Sequence, residues 1–442
     1  MKSIQSSLPN SLASSLCNTL PFFAGVVLMF TSSSLFAESA EEGQRVGLQR
    51  NVVGGIEVPK GHYSWMCALV RAEDSVTYRG FVGAGCLIHP EWVLTAAHAV
   101  ESFDREDLEV MIGGGNLLMA RPDDRVSIEA IHILPGFAGR TGHLGFDLAL
   151  LKLGRAVSGV TTVSLAPRSF RIPASGMVRS LGWGRTATRG FLSPSLRSVD
   201  LPVVDNGDVD SIEIYGESLP DDVILAGFSD GGAETCEGDS GGPLLVYDPR
   251  RKIWRLSGVV SAGPVSGCAV AGAYGLYNNV APHLMWLEAH VVKSYEDWER
   301  LYPVGAPEDD ADGDGQSNWD EYARVADPEN AQSRPWIRNR IGNEAGIPVW
   351  ELTGFARNGV VDVGFRWERS TDLGSWESVS DFSEGESGPW NEVAEFRFRF
   401  RFPWDGREGA SGFLRLVAVQ ISRKSLDAGD QDWELIGSVN RR

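Results

Sequence analysis

The chain has 442 residues, 43% of them hydrophobic and 10% aromatic, enough apolar surface at roughly 150 residues per domain for about three packed cores. Forty Lys and Arg against 59 Asp and Glu leave a formal charge of -19. That is the wrong sign for neutralising nucleic-acid phosphates, so nucleic acid is not an expected partner; the acidity suits a soluble secreted protein and would attract cationic peptides or calcium.

Residues 1–37 read as an export signal: Lys2 is the only charged side chain before Glu38, and 20–30 form a short apolar run. The cut falls after Ala37; Leu35 is bulky for the position two before it, which keeps an uncleaved N-terminal anchor open as the alternative. Residues 38–51 are polar and aperiodic, a pro-segment. From 52 to about 280 short β-branched runs alternate with Gly, Pro, Asn and Asp, which predicts a β-sandwich or barrel. Apolar spacing over 284–292 predicts a closing helix. Residues 295–309 read as an acidic, proline-punctuated connector, and 310–330 as an acidic loop with a short helix. Beyond Pro335 the alternating runs 360–367, 395–402 and 413–419 predict a separate small β domain over 331–442.

Cys17 belongs to the signal, leaving Cys67, Cys86, Cys236 and Cys268 for an oxidising compartment, with three pairings possible.

Three separated segments carry chemistry: Leu94-Thr-Ala-Ala-His98-Ala, Gly145-Phe-Asp147-Leu, and Cys236-Glu-Gly238-Asp239-Ser240-Gly-Gly-Pro243. A serine hydroxyl needs a base to attack at neutral pH, an imidazole suits that role, and the second imidazole nitrogen needs a buried carboxylate. His98, Asp147 and Ser240 supply the three types. An unpaired acid at the head of the apolar run 148–151 would be costly to bury, which favours a partnered Asp147.

With Val52-Val53-Gly54-Gly55 and Gly182-Trp183-Gly184, these segments resemble the trypsin-like, chymotrypsin-fold serine proteases over residues 52–294, and the His, Asp, Ser order matches that family. The resemblance implies an all-β fold of two six-stranded barrels with a C-terminal helix. It implies peptide-bond hydrolysis through an acyl-enzyme with no catalytic cofactor. The backbone N–H groups of Gly238 and Ser240 would form the oxyanion hole. Protein or peptide substrates and an activating protease are the implied partners; a catalytically silent binding protein of the same fold is the alternative. By resemblance, a cut frees Val52 to pair with Asp239. Asn51 separates Val52 from Arg50, so the activator must accept Asn, or else leaves one extra residue.

The resemblance further places Glu234 at the floor of the primary specificity pocket, with Ser261, Gly263 and Gly275 along its walls. This implies cleavage after Arg or Lys, through a glutamate one methylene longer than the usual aspartate. Ala262 stands where many relatives carry Trp. Cys236 and Cys268 match the bridge that frames the pocket. Cys86 matches a cysteine whose usual partner position is Ala99, so that bridge is absent, and Cys67 and Cys86 are either paired or two buried thiols.

Asp310-x-Asp312-x-Asp314-Gly315-Gln316-x-Asn318-x-x-Glu321 fits an EF-hand-like calcium loop: carboxylate or amide oxygens at positions 1, 3, 5, 9 and 12, and the Gln316 carbonyl at 7. It resembles the Asp-rich calcium linkers of secreted bacterial proteins and implies a structural ion in an acidic linker, 295–330. The tail resembles the small β-sandwich modules that follow such linkers, which implies a secreted, periplasmic or cell-surface protein; its Trp and Arg residues either bind a cell-surface or matrix polymer or are core aromatics and salt-bridge partners.

Overall fold

The computed structural model describes residues 53–333, short loop stretches apart, and the backbone of seven strands between 337 and 437. The signal 1–37, the pro-segment 38–51 and Val52 lie outside the described residues. No described helix is long and apolar enough to cross a membrane.

The first barrel contains β2 (Met66–Arg71), β3 (Phe81–His89), β4 (Trp92–Thr95), β5 (Leu108–Ile112), β6 (Arg125–Ile133) and β7 (Ala149–Leu153), closed in the order β2-β3-β4-β7-β6-β5. Met66–Val70 and all of β4 are buried on both faces. One face fills the barrel and the other is covered by the rest of the molecule, so these strands read as continuous apolar runs rather than as alternation.

The second barrel contains β9 (Met177–Gly182), β10 (Arg197–Val204), β11 (Val223–Ala226), β12 (Pro243–Asp248), β13 (Ile253–Ala262) and β14 (Gly275–Asn279). It is closed by antiparallel pairing of β9 with both β10 and β12. Two short strands are added outside the closure: β1 (Ile56–Glu57) on β10, and β8 (Ser164–Leu165) parallel to β13. The two six-stranded barrels expected from the resemblance are present. In β13 the pairing with β14 slips between Val260 and Ala262, so Ser261 is the extra residue of a bulge.

The closing helix spans Leu284–Val291. A second helix, Tyr295–Leu301, occupies part of the segment read as a connector. Its signals are local: Ser294 caps it by accepting the Asp297 N–H, Glu296 and Asp297 sit in the first turn, and Arg300 sits in the last. Tyr295, Trp298 and Leu301 line its buried face and join the large core cluster that runs from the first barrel into the second, as do Tyr302, Trp319 and Tyr322. The short helix expected in the acidic region is Asn318–Arg324. Further on, seven strands form two antiparallel sheets. Ile337–Glu344, Ile347–Arg357 and Val393–Arg401 make one; Glu377–Val379, Val363–Ser370, Phe413–Arg423 and Trp433–Gly437 make the other.

Candidate active site

β4 runs into a tight turn, Ala97–Ala99, that presents His98 at the seam between the barrels. Asp147 stands two residues before β7, after Gly145 and Phe146, both of which have positive φ (110° and 53°). Phe146 has no side-chain licence for that conformation, so its neighbours must hold it. Its N–H donates to Asp222 Oδ2 (3.2 Å), a carboxylate that also meets His283 Nε2 (3.0 Å), and the Asp147 N–H donates to Asn278 Oδ1 (3.0 Å). The second barrel and the turn that leads into its closing helix thus fix a loop of the first.

The Asp147 carboxylate is buried and accepts three hydrogen bonds: from His98 Nδ1 (2.7 Å), the His98 N–H (2.8 Å) and Ser261 Oγ (2.5 Å). Burial alone would push this carboxyl up; the bonds from His98 and Ser261 outweigh it and hold the group below its ordinary range. An ionised carboxylate only accepts, so His98 Nδ1 carries the proton of this bond, which in the neutral imidazole places the lone pair on Nε2. Ser261, expected as a pocket wall, does line the cavity, and the bulge in β13 also turns its hydroxyl onto Asp147. That second role was not legible in the sequence, because a bulge depends on pairing across strands.

Ser240 is held by its own backbone. Its carbonyl accepts the Ala84 N–H (2.8 Å) from β3 of the first barrel, while the Gly241 N–H donates to Val260 O (2.9 Å) in the second. Gly241 has φ +81°, and a Cβ there would lie 2.1 Å from Ala84 O and 2.2 Å from Thr95 Oγ1, so only glycine allows the barrels to approach this closely. Ser240, His98 and Asp147 line one cavity of about 610 Å³. The turn before the serine is closed by Asp239 N–H to Cys236 O (2.9 Å), and Gly238 has φ +95°. Neither the Gly238 nor the Ser240 N–H donates to another described group.

Asp239 is fully buried and accepts the N–H groups of Gly184 (2.7 Å) and Cys236 (2.9 Å). Burial pushes its carboxyl up to about 6 despite these bonds. A Cβ on Gly182 would lie 1.9 Å from Asp239 Oδ1, and one on Gly184 2.4 Å from the same carboxyl, so the Gly182-Trp183-Gly184 motif is the cradle of this aspartate. Cys236 and Cys268 are bridged, while Cys67 and Cys86 are buried free thiols, both pushed up by burial.

Glu234 is 1% exposed, and its N–H donates to Val53 O (2.9 Å). One carboxylate oxygen accepts the Ala269 N–H; the other, Oε1, is buried without a partner. Burial pushes this carboxyl up to about 7. Gly263 lines the cavity, and a Cβ there would stand 3.5 Å from Glu234 Oε1, so the glutamate lies directly behind that wall. Gly275 is not part of the cavity lining: a Cβ there would stand 3.2 Å from Thr235 Oγ1 and the Tyr277 ring, so this glycine makes room for the side chains backing the pocket.

In the acidic loop, carboxylate oxygens of Asp310, Asp312 and Asp314 lie within 4.8 Å of one another. Glu321 is fully buried with neither oxygen partnered, and Asp312 Oδ2 is likewise buried and unpartnered. Burial, then Asp312 and Asp314, push the Glu321 carboxyl up to about 9. Such a set of hard oxygens fits a calcium ion. Asn318, expected as a ligand, is instead engaged in the fold: its Oδ1 accepts the Ala311 N–H (3.1 Å), and its Nδ2 donates to Val304 O and Ala306 O (3.1 and 3.0 Å). Gln316 donates both its N–H and its Nε2 to Asp314.

The model of the trypsin family matches residues 52–287. Among curated proteins, chymotrypsin-like elastase family member 1 of Bos taurus is 30% identical over 265 residues, covering 59% of this chain and 96% of that protein. Transmembrane protease serine 5 of Homo sapiens is 32% identical over 247 residues, covering 54% of this chain and 51% of that protein. With the family model spanning more than half the chain and two closed barrels beneath it, the chain belongs to the trypsin family and is a serine-type endopeptidase.

Proposed function

We propose that Ser240 is the nucleophile, His98 the general base and acid, and Asp147 the group that fixes and charges the imidazole. The carrying observation is the His98–Asp147 pair set in the same cavity as Ser240. His98 Nε2 takes the Ser240 proton as Oγ attacks the scissile carbonyl, then returns it to the leaving amine, and water repeats the cycle on the acyl-enzyme. The Gly238 and Ser240 N–H groups receive the developing oxyanion, each such donor being worth about 3 kcal/mol.

Cleavage follows Arg or Lys. In support, the unpartnered Glu234 Oε1 lies behind Gly263, where a side chain entering past that glycine would bring a cation to a desolvated carboxylate. Activation frees Val52, whose ammonium neutralises Asp239; in support, Asp239 is fully buried and its carboxylate meets only backbone N–H groups among the described residues. The enzyme is exported, and its C-terminal sheets serve for attachment to a surface polymer. A structural calcium ion is held by Asp310, Asp312, Asp314 and Glu321 with the Gln316 carbonyl, and takes no part in the chemistry. Matched Arg, Lys, Phe and Ala peptide esters test the specificity: Arg and Lys esters should be turned over at least tenfold faster than Phe, and equal or faster turnover of Phe overturns the basic preference.

A further inference from the structure

The calcium loop sits in a segment that touches both barrels. Asp297, on the Tyr295–Leu301 helix, meets His89 Nε2 at the end of β3 (3.1 Å) in the first barrel. At the other end, Asp327 Oδ2 accepts the Ser169 N–H (2.7 Å), and Glu329 Oε1 accepts from Arg255 Nη2 (2.7 Å), a fully buried guanidinium on β13 of the second barrel. Between these anchors Trp298, Trp319, Tyr295 and Tyr322 form one aromatic cluster, with ring centroids 5.4–5.9 Å apart. Trp319 and Tyr322 belong to the same helix, Asn318–Arg324, that carries Glu321.

We propose that a divalent cation, calcium, closes residues 295–329 into a strap that holds the two barrels in register, so that the ion governs the assembly of the protease and not merely the stiffness of a tail. This rests on the calcium reading of the loop. Beside the acidic cluster, Glu321 is fully buried and neither of its carboxylate oxygens has a partner among the described residues. Without a cation the helix carries a buried Glu321 carboxyl that nothing satisfies; with one, both Glu321 oxygens gain a partner, so the helix is drawn onto the loop and its aromatic face seated on the core. The consequence reaches the active site because His98 and Asp147 come from the first barrel while Ser240 and Ser261 come from the second.

The test uses the full chain carrying Ser240→Ala, so that autolysis does not interfere, with calcium chloride titrated by calorimetry and hydrogen exchange measured in calcium and in chelator. Calcium should bind, raise the melting temperature by roughly 5–10 °C at a hundredfold excess over Kd, and slow exchange in 295–301 and 318–324. It should also slow exchange at the anchors, β3 and β13. Glu321→Gln should lose calcium affinity at least tenfold and lose that protection; Glu329→Gln should keep calcium affinity but lose the protection of β13. Absence of calcium binding removes the calcium reading and the strap together. Binding with protection confined to 306–324 overturns the strap and leaves the calcium site standing.

Discussion

Glu234 sets a residue-scale consequence that can be read from pH. Burial raises its folded-state value to about 7, so at pH 5 it is mostly a neutral acid with little attraction for a cation, and above 7 it is a carboxylate. Both His98 and Glu234 bear on turnover, but a ratio of two substrates cancels the base they share. The ratio of kcat/KM for an Arg ester to that for the matched Phe ester should therefore rise with pH, with a midpoint near 7 in the free enzyme; a flat ratio between pH 5 and 9 removes Glu234 from specificity. Because the folded value lies above the unfolded one, the same carboxyl costs stability as pH climbs from about 4.5 to 7, where the native state binds the proton more tightly than the unfolded chain. His98, Asp147 and Ser240, which the structure sets around one cavity, were legible in the sequence as candidates because each sits in a short local string. Ser261's grip on Asp147 and Asn318's hold on the loop were not, since both depend on where other strands and carbonyls lie.

At the scale of elements, the loop Cys236–Gly242 docks against β3 where Ser240 O accepts the Ala84 N–H and Gly241 packs on Ala84 O. Gly241 and Gly272 both have positive φ (81° and 74°), but a Cβ on Gly241 would collide with Ala84 O whereas one on Gly272 meets nothing within 4 Å. Gly272→Ala should cost only the left-handed strain, about 1–2 kcal/mol. Gly241→Ala should cost clearly more, and because it displaces Ser240 it should lower kcat/KM at least tenfold. Equal unfolding free energies for the two variants would show that the close approach is not what holds the loop. The barrels themselves were legible as short β-branched runs broken by turns. The helix Tyr295–Leu301 was not: only three of its seven residues are buried, and its charged remainder masked the Ser294 cap and the i, i+3, i+6 apolar spacing.

For the whole molecule, the segment after the closing helix is part of the core rather than an appendage. Trp298, Tyr302, Trp319 and Tyr322 are buried in the same cluster as Leu87, Ile88 and Leu256, and a single buried Trp reduced to Ala costs roughly 3–5 kcal/mol. Total stability of a domain is about 5–15 kcal/mol. A chain cut at residue 294 should consequently aggregate or melt at least roughly 10 °C below one ending at residue 333; matching melting curves would restore the boundary at 294 expected from the resemblance.

The proposed chemistry requires Ser240 to be made nucleophilic by the His98 imidazole across the barrel seam. Treating the form that begins at Val52 with a peptidyl phosphonate ending in Arg, and mapping the adduct by mass spectrometry, should place a single label on Ser240 and none on the Ser240→Ala or His98→Ala chains. Failure of the processed protein to be labelled, or a label that persists in Ser240→Ala, would contradict it.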